Sequence, residues 1–441
     1  MRMPKSPCAA ALVLVASFFM CFVLLRFLTR QVLVEGFGMS NAFTGVVLFD
    51  VKALNEAPTD MTDWASLYPF DKESQTESAS TGSIESHGIL TTYLSAVDSI
   101  EARIEKYTTD TLPFRNDLVE LANAYEAAVR WDYVSYSEYN GVTNLSDGYL
   151  TTVSPGIDVS EQADATIEFA SHCKEMGIPF AYACAPCKVC KYEDPGVCGV
   201  TDFSNQNADD FLGRLGEAGV RTLDLREALH SEGLDHHGLF FRTDHHWLPR
   251  TGLWAAGKVV SLLEDCGVSV DASRVDPSLF REEVYRGWFL GSQGKKVTLA
   301  KADPEDISLL YPTYETSLRY KVRSRSIDER GDFGVMYDMG CVSERDYYGK
   351  DPYAAYIYGN QPLEVIENEA PGLDGHVLVV HDSFGNVVVP FMSMACARVD
   401  SLDLRSFNGS LRRYIEVERP DAVIVLYSPI MLGNEDVFRL A

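Results

Sequence analysis

The sequence predicts an α/β protein: a three-layer α/β/α domain around a central, mainly parallel sheet, with a large insertion, preceded by a single N-terminal transmembrane helix. Three observations predict it. From about residue 160 onward, short apolar runs alternate with helix-period segments, as in chains of βαβ units. The tract between about 271 and 360 interrupts that alternation and is rich in Tyr, Arg, Asp and Gly. An almost unbroken apolar stretch opens the chain.

Arg2 and Lys5 precede the apolar run Ala9 to Leu25, and Arg26 and Arg30 follow it. Counted from Cys8 to Leu28, the run reaches the ~20 residues that cross a bilayer core. A cleaved signal peptide would show a shorter run and a small-residue cleavage site, and neither is evident. Residues 1–30 are therefore read as a signal anchor. Basic residues on its two sides nearly balance, but the large acidic part that follows favours an outward-facing C-terminus. The expected location is the cell membrane, single-pass, with the folded part extracellular or periplasmic.

Residues 31–88 are read as a polar, partly disordered stalk, because stretches such as Asp71-Lys-Glu-Ser-Gln-Thr-Glu-Ser offer too little apolar surface to offset chain ordering. Residues 89–137 are read as a helical lead-in. Leu94, Val97, Ile100 and Ile104 share one helical face, Leu118, Leu121, Tyr125 and Ala128 another, and Pro113 breaks the run between them.

The folded domain is expected over 138–441. Gly turns suggest short strands at Tyr139-Asn-Gly-Val and Ser146-Asp-Gly-Tyr-Leu. Longer strands are predicted at Pro179-Phe-Ala-Tyr-Ala, Val220-Arg-Thr-Leu, His376-Val-Leu-Val-Val, Val399-Asp-Ser-Leu and Ala422-Val-Ile-Val-Leu-Tyr. Helices are predicted over about 161–176, 209–217, 250–266, 386–397 and 411–418. The tract 271–360 is read as an irregular insertion near the mouth of the site.

Composition narrows the function. Of 441 residues 46% are hydrophobic, enough for a sizeable core. The net charge of −26, from 38 basic and 64 acidic side chains, argues against nucleic acid and against docking by charge on an anionic lipid surface.

Two spots carry candidate chemistry. Ser383 directly follows a predicted buried strand and precedes a helix, which puts it at the carboxyl edge of the sheet, where open α/β folds bind ligands. The same placement would let Asp382 and Ser383 simply cap the helix. In Thr243-Asp-His-His-Trp247, Asp244 could orient His246 as the base for a serine nucleophile, with His245 as the alternative base. A helix cap at Asp244 with two solvent-facing histidines is the competing reading, and Trp247 suits the core or a pocket wall. Asp235-His236-His237 and Asp244-His245-His246 could pool metal ligands, but they lack His-x-x-x-His spacing. No metal or cofactor is expected. Cys184, Cys187, Cys190 and Cys198 admit disulfides, buried thiols or a metal, and disulfides are favoured in an outward-facing domain.

Thr243-Asp-His-His-Trp247 also reproduces the signature of the bacterial DHHW family, which is similar to the SGNH-like O-acetyltransferases of alginate and other exopolysaccharides. Further blocks resemble that group in order: Leu112-Pro-Phe-Arg115, Tyr139-Asn-Gly-Val, Gly291-Ser-Gln-Gly, Tyr358-Gly-Asn360 and His381-Asp-Ser-Phe-Gly-Asn with Pro390-Phe391. The resemblance implies an SGNH-hydrolase-like fold and an acetylated Ser383 intermediate, with His246 moving protons and Asp244 holding it. It implies Gly359 and Asn360 as substrate or oxyanion contacts. It also implies a polysaccharide substrate and a membrane-bound O-acyltransferase that supplies acetyl groups. A carbohydrate acetylesterase would use the same triad with water as acceptor. An envelope glycan-binding or assembly protein would leave it vestigial.

Overall fold

The computed structural model describes residues 142–145, 148–193 and 201–440. The predicted anchor, stalk and lead-in lie outside those residues, and among the described residues no helix is long and apolar enough to cross a membrane.

Elements run in the order β1 (Thr143–Asn144), β2 (Leu150–Thr151), α1 (Ser160–Glu175), β3 (Phe180–Cys184), α2 (Ser204–Glu217), β4 (Arg221–Asp224), α3 (Leu225–Ser231), α4 (Pro249–Asp265), β5 (Phe280–Phe289) and α5 (Ser292–Val297). There follow β6 (Glu305–Pro312), β7 (Leu318–Val322), β8 (Ile327–Gly331), β9 (Leu363–Asn368), β10 (His376–His381), α6 (Val389–Met392), β11 (Arg398–Leu402), α7 (Leu411–Glu418) and β12 (Ala422–Tyr427). Eight strands form one sheet in the order β4-β3-β12-β10-β11-β9-β7-β8. The strands from β4 to β11 are mutually parallel; β9, β7 and β8 continue the sheet antiparallel.

The centre is parallel because its strands are apolar on both faces. Val377 and Val379 of β10 join Ile424 and Leu426 of β12 in one core; Leu378 and Val380 join Val423 and Val425 in the other. α4 covers the first face with Leu253, Ala256, Val259 and Leu263. Helices α1, α2 and α7 cover the second with Phe169, Phe211, Leu215, Leu411 and Ile415. Each such buried side chain stabilises the fold by roughly 1.5–3 kcal/mol. The three-layer α/β expectation holds, with a mixed sheet.

The predicted irregular insertion is a correction. Within 271–360, β7 and β8 extend the central sheet, and β5 and β6 pair as a separate antiparallel hairpin. Their alternation is masked by charge. In β7, Leu318, Tyr320 and Val322 point inward while Arg319 and Lys321 reach Asp328 and Glu367 outside. The helix expected over 386–397 is also shorter: a 3-10 turn, Ser383–Val387, leads into the single turn of α6.

Candidate active site

Ser383 is the first residue after Asp382 at the carboxyl end of β10, the strand between β11 and β12. Asp382 fixes the turn. One carboxylate oxygen accepts from the Phe384 N–H (3.0 Å), and the other from the Ser428 N–H (3.0 Å) and Oγ (2.6 Å). The capping reading is thus met at Asp382, and the cap presents Ser383 rather than replacing it. Ser383 is half-buried, and its backbone N–H has no hydrogen-bond partner among the described residues.

The 243–247 segment is a tight loop, not a helix start. Phe240 and Trp247 form an antiparallel bridge across it, and α4 begins only at Pro249. Asp244 therefore caps no helix. Its Oδ1 lies 2.5 Å from His246 Nδ1, and His246 Nε2 lies 2.7 Å from Ser383 Oγ. Residues 137 positions apart in the chain meet in one hydrogen-bonded line. Tyr353 lies flat on the His246 ring (centroids 4.0 Å apart, 11° between planes), and its hydroxyl donates to the Ser383 carbonyl (3.1 Å). Trp247 is fully buried and donates its indole N–H to the Phe384 carbonyl (3.1 Å), so it belongs to the core.

The excursion between α4 and β7 braces this loop. The Glu305 carboxylate accepts from the Arg242 N–H (2.8 Å), the Thr243 N–H (2.7 Å) and Thr243 Oγ1 (2.5 Å). The Ser292 N–H, at the start of α5, donates to Asp244 Oδ2 (2.6 Å). Only glycine fits at 291: a Cβ there would sit 2.2 Å from the Asp244 Cβ. Behind the loop the buried Lys188 donates to the Leu150 carbonyl (2.5 Å) and to Gln293 Oε1 (3.0 Å). Burial works to raise the Asp244 carboxyl, but the imidazoles of His245 and His246 and the Ser292 N–H hold it well below the usual carboxylate range. Asp244 is thus an anion throughout the neutral range, ready to hold an imidazolium.

His245 engages Ser292 instead, with its Nδ1 3.0 Å from that Oγ. Asn360 accepts at Oδ1 from the Nδ2 of Asn386, on the turn that follows Ser383 (3.0 Å). Gly359, next to Asn360 in the chain, donates its N–H to the Tyr356 carbonyl (2.9 Å). Among the described residues Asp244, His245 and His246 are the one cluster with metal-ligand spacing. Asp235 and His237 do not join it, and His236 Nε2 instead meets the Cys187 carbonyl (2.9 Å). Cys184, Cys187 and Cys190 are free thiols, so the favoured disulfide reading fails for these three among themselves; Cys198 lies outside the described residues. Burial pushes the Cys187 thiol up to about 11.

Sequence reasoning missed Glu305, Tyr353 and Lys188. Ser292 was visible only as part of a resembling block, with no role attached.

Comparison with known proteins agrees with the α/β fold. Residues 146–275 match the family described as "SGNH hydrolase-like domain, acetyltransferase AlgX". A solved DHHW family protein from Eubacterium siraeum is 18% identical, with a TM-score of 0.54 over 69% of this chain and 96% of its own. PatB1 of Bacillus cereus is 20% identical, with a TM-score of 0.57 over 68% of this chain and 99% of its own. A second PatB1 structure, carrying a sulfonyl adduct, is 19% identical, with a TM-score of 0.56 over 68% of this chain and 97% of its own. No curated protein matches the chain. The chain resembles the DHHW and SGNH-like acetyltransferase proteins, as its motifs implied, and at these identities the likeness to the solved structures is one of fold.

Proposed function

We propose that this protein transfers O-acetyl groups to hydroxyls of a cell-surface or extracellular polysaccharide through an acyl-Ser383 intermediate. The observation that carries the reading is the continuous line Asp244–His246–Ser383, at 2.5 and 2.7 Å. In this reading Ser383 Oγ attacks the acetyl carbonyl while His246 Nε2 takes its proton. Asp244 holds the other ring nitrogen and stabilises the imidazolium. The Ser383 N–H and the Asn360 side-chain amide are candidates to receive the oxyanion. His246 then protonates the leaving group. In the second half a glycan hydroxyl gives its proton to His246 and attacks the acyl-serine, and His246 returns that proton to the departing Ser383 Oγ. The family match over 146–275 favours acetyl transfer over unrelated serine chemistry. The apolar segment 8–28 would tether the domain to the outer face of the membrane, where a membrane-bound O-acyltransferase could supply acetyl groups.

The test has two arms. Purified protein is given an activated acetyl ester, with and without Ser383→Ala; release of the leaving group should fall by about 10⁴-fold in the variant. Equal rates would end the nucleophile assignment. Mass spectrometry of surface glycan from cells with and without the gene should show acetyl groups lost on deletion. Acetyl groups that increase on deletion would turn the reading to an esterase.

A further inference from the structure

A second chain of polar groups, absent from the proposed reaction, runs through the core beneath Ser383. Tyr320 Oη on β7 lies 2.5 Å from Glu364 Oε1 on β9, the shorter of its two acceptor contacts, with the Ile357 carbonyl at 3.0 Å. Glu364 Oε2 lies 2.7 Å from Ser401 Oγ on β11. Ser401 Oγ lies 2.7 Å from His381 Nε2 on β10, and His381 Nδ1 lies 2.6 Å from the Asp382 carbonyl oxygen. All four side chains are buried. Only glycine at 385 admits the imidazole, because a Cβ there would fall 2.3 Å from its ring. That accounts for the spacing of His381-Asp-Ser-Phe-Gly385.

Counting protons fixes the state of the three links from Glu364 to the Asp382 carbonyl. The Asp382 carbonyl can only accept, so His381 Nδ1 carries a hydrogen. A neutral His381 then has a bare Nε2, and the single Ser401 proton must go to it. The contact between Ser401 and Glu364 is left to a proton that Glu364 supplies. The alternative, a charged His381 with an ionised Glu364, holds the same number of protons. An ionised Glu364 beside a neutral His381 is one proton short, and one link must break.

We propose that Glu364, Ser401 and His381 are positioning residues that hold the Asp382–Ser383 peptide in place, and that the relay does so only while it keeps its extra proton. The carbonyl that His381 grips, and that also accepts from the Gly385 N–H (2.9 Å), belongs to the same planar unit as the Ser383 N–H. That N–H is the unpartnered donor offered above to the oxyanion, so the inference rests on the proposed function. Burial, acting first, pushes the Glu364 carboxyl up to about 8 against the hydrogen bonds from Tyr320 and Ser401. Burial also pushes His381 down, which selects the neutral acid and neutral imidazole. The charged groups acting on Glu364 are Arg325 and Asp403; on His381 they are Asp403, Asp382 and Arg405. Once Glu364 ionises it becomes the stronger acceptor and takes the Ser401 proton. His381 must then leave Nε2 unpartnered or move its proton there, away from the Asp382 carbonyl.

Glu364→Gln tests this, since its amide can donate to Ser401 and accept from Tyr320 at any pH. Two measurements are made on both proteins. In pH–rate profiles of acetyl-ester turnover, the wild type should lose about tenfold or more above pH ~8, and E364Q should not. In denaturant unfolding, wild-type stability should decline as pH rises from the ordinary carboxyl value of 4.5 to about 8 and then level off. This is the sign for a raised acid: the folded state holds a proton that the unfolded chain releases. E364Q should lack the slope. Coincident stability curves would overturn the protonated relay, whatever the activity. Divergent stability curves with coincident rate profiles would overturn its link to Ser383. If neither protein shows Ser383-dependent turnover, the proposed function fails with that link, while the stability curves still decide the protonation state.

Discussion

Ser383 and its two partners are held in opposite ways. Ser383 follows a strand buried between two parallel neighbours, so hydrophobic packing on both faces fixes the strand that carries it, and polar bonds set only the turn at its end. Asp244 and His246 sit on a loop whose brace is almost wholly polar: Gly291, Ser292 and Glu305 supply it from 48 to 62 residues further along the chain. Packing is spread over many contacts and tolerates single losses. A polar brace concentrates its effect in a few bonds, and a cut there leaves buried groups without partners. The two regions should therefore fail differently.

The sharpest break of that contrast is Asp244→Asn. It leaves the loop's shape nearly intact but cannot hold an imidazolium, and turnover should fall on the order of 10³–10⁴-fold with little change in unfolding midpoint. An unchanged rate would show that Asp244 serves only the loop. Next comes Glu305→Ala, which strands the Arg242 and Thr243 N–H groups. It should lower stability by about 1–3 kcal/mol and turnover by about 10–100-fold, measured by denaturant unfolding and steady-state kinetics. Loss of stability alone would mean that the loop holds its geometry without the carboxylate. The smallest effect is expected at Tyr353, which bridges the two regions. Tyr353→Phe keeps the ring on His246 and should cost a few-fold, whereas Tyr353→Leu removes the stack and should cost about tenfold in turnover.

The same contrast explains what could be read in advance. β10 and β12 are continuous runs of Val, Leu and Ile because both faces are buried, and such runs are visible in sequence. The antiparallel edge was not legible. In β7 and β9 every second residue faces outward, and Arg319, Lys321 and Glu367 there make the segment look like polar loop. At the site, Asp244, His246 and Ser383 could be named because their residue types and settings suit one chemistry. The brace could not, since a glutamate 62 residues from Thr243 carries no local signal. Glu364 was hidden for the same reason, and His381 was visible only within a resembling block, because neighbours across strands are far apart in sequence.

The central claim is that Ser383 is the residue acylated during turnover. Its most direct test is to trap the protein with an activated acetyl ester or a sulfonyl fluoride and map the label by peptide mass spectrometry. The account predicts one label, on Ser383, and none on Ser383→Ala or Asp244→Asn protein at the same exposure. A label on another residue, or equal labelling of the Ser383→Ala protein, would contradict it.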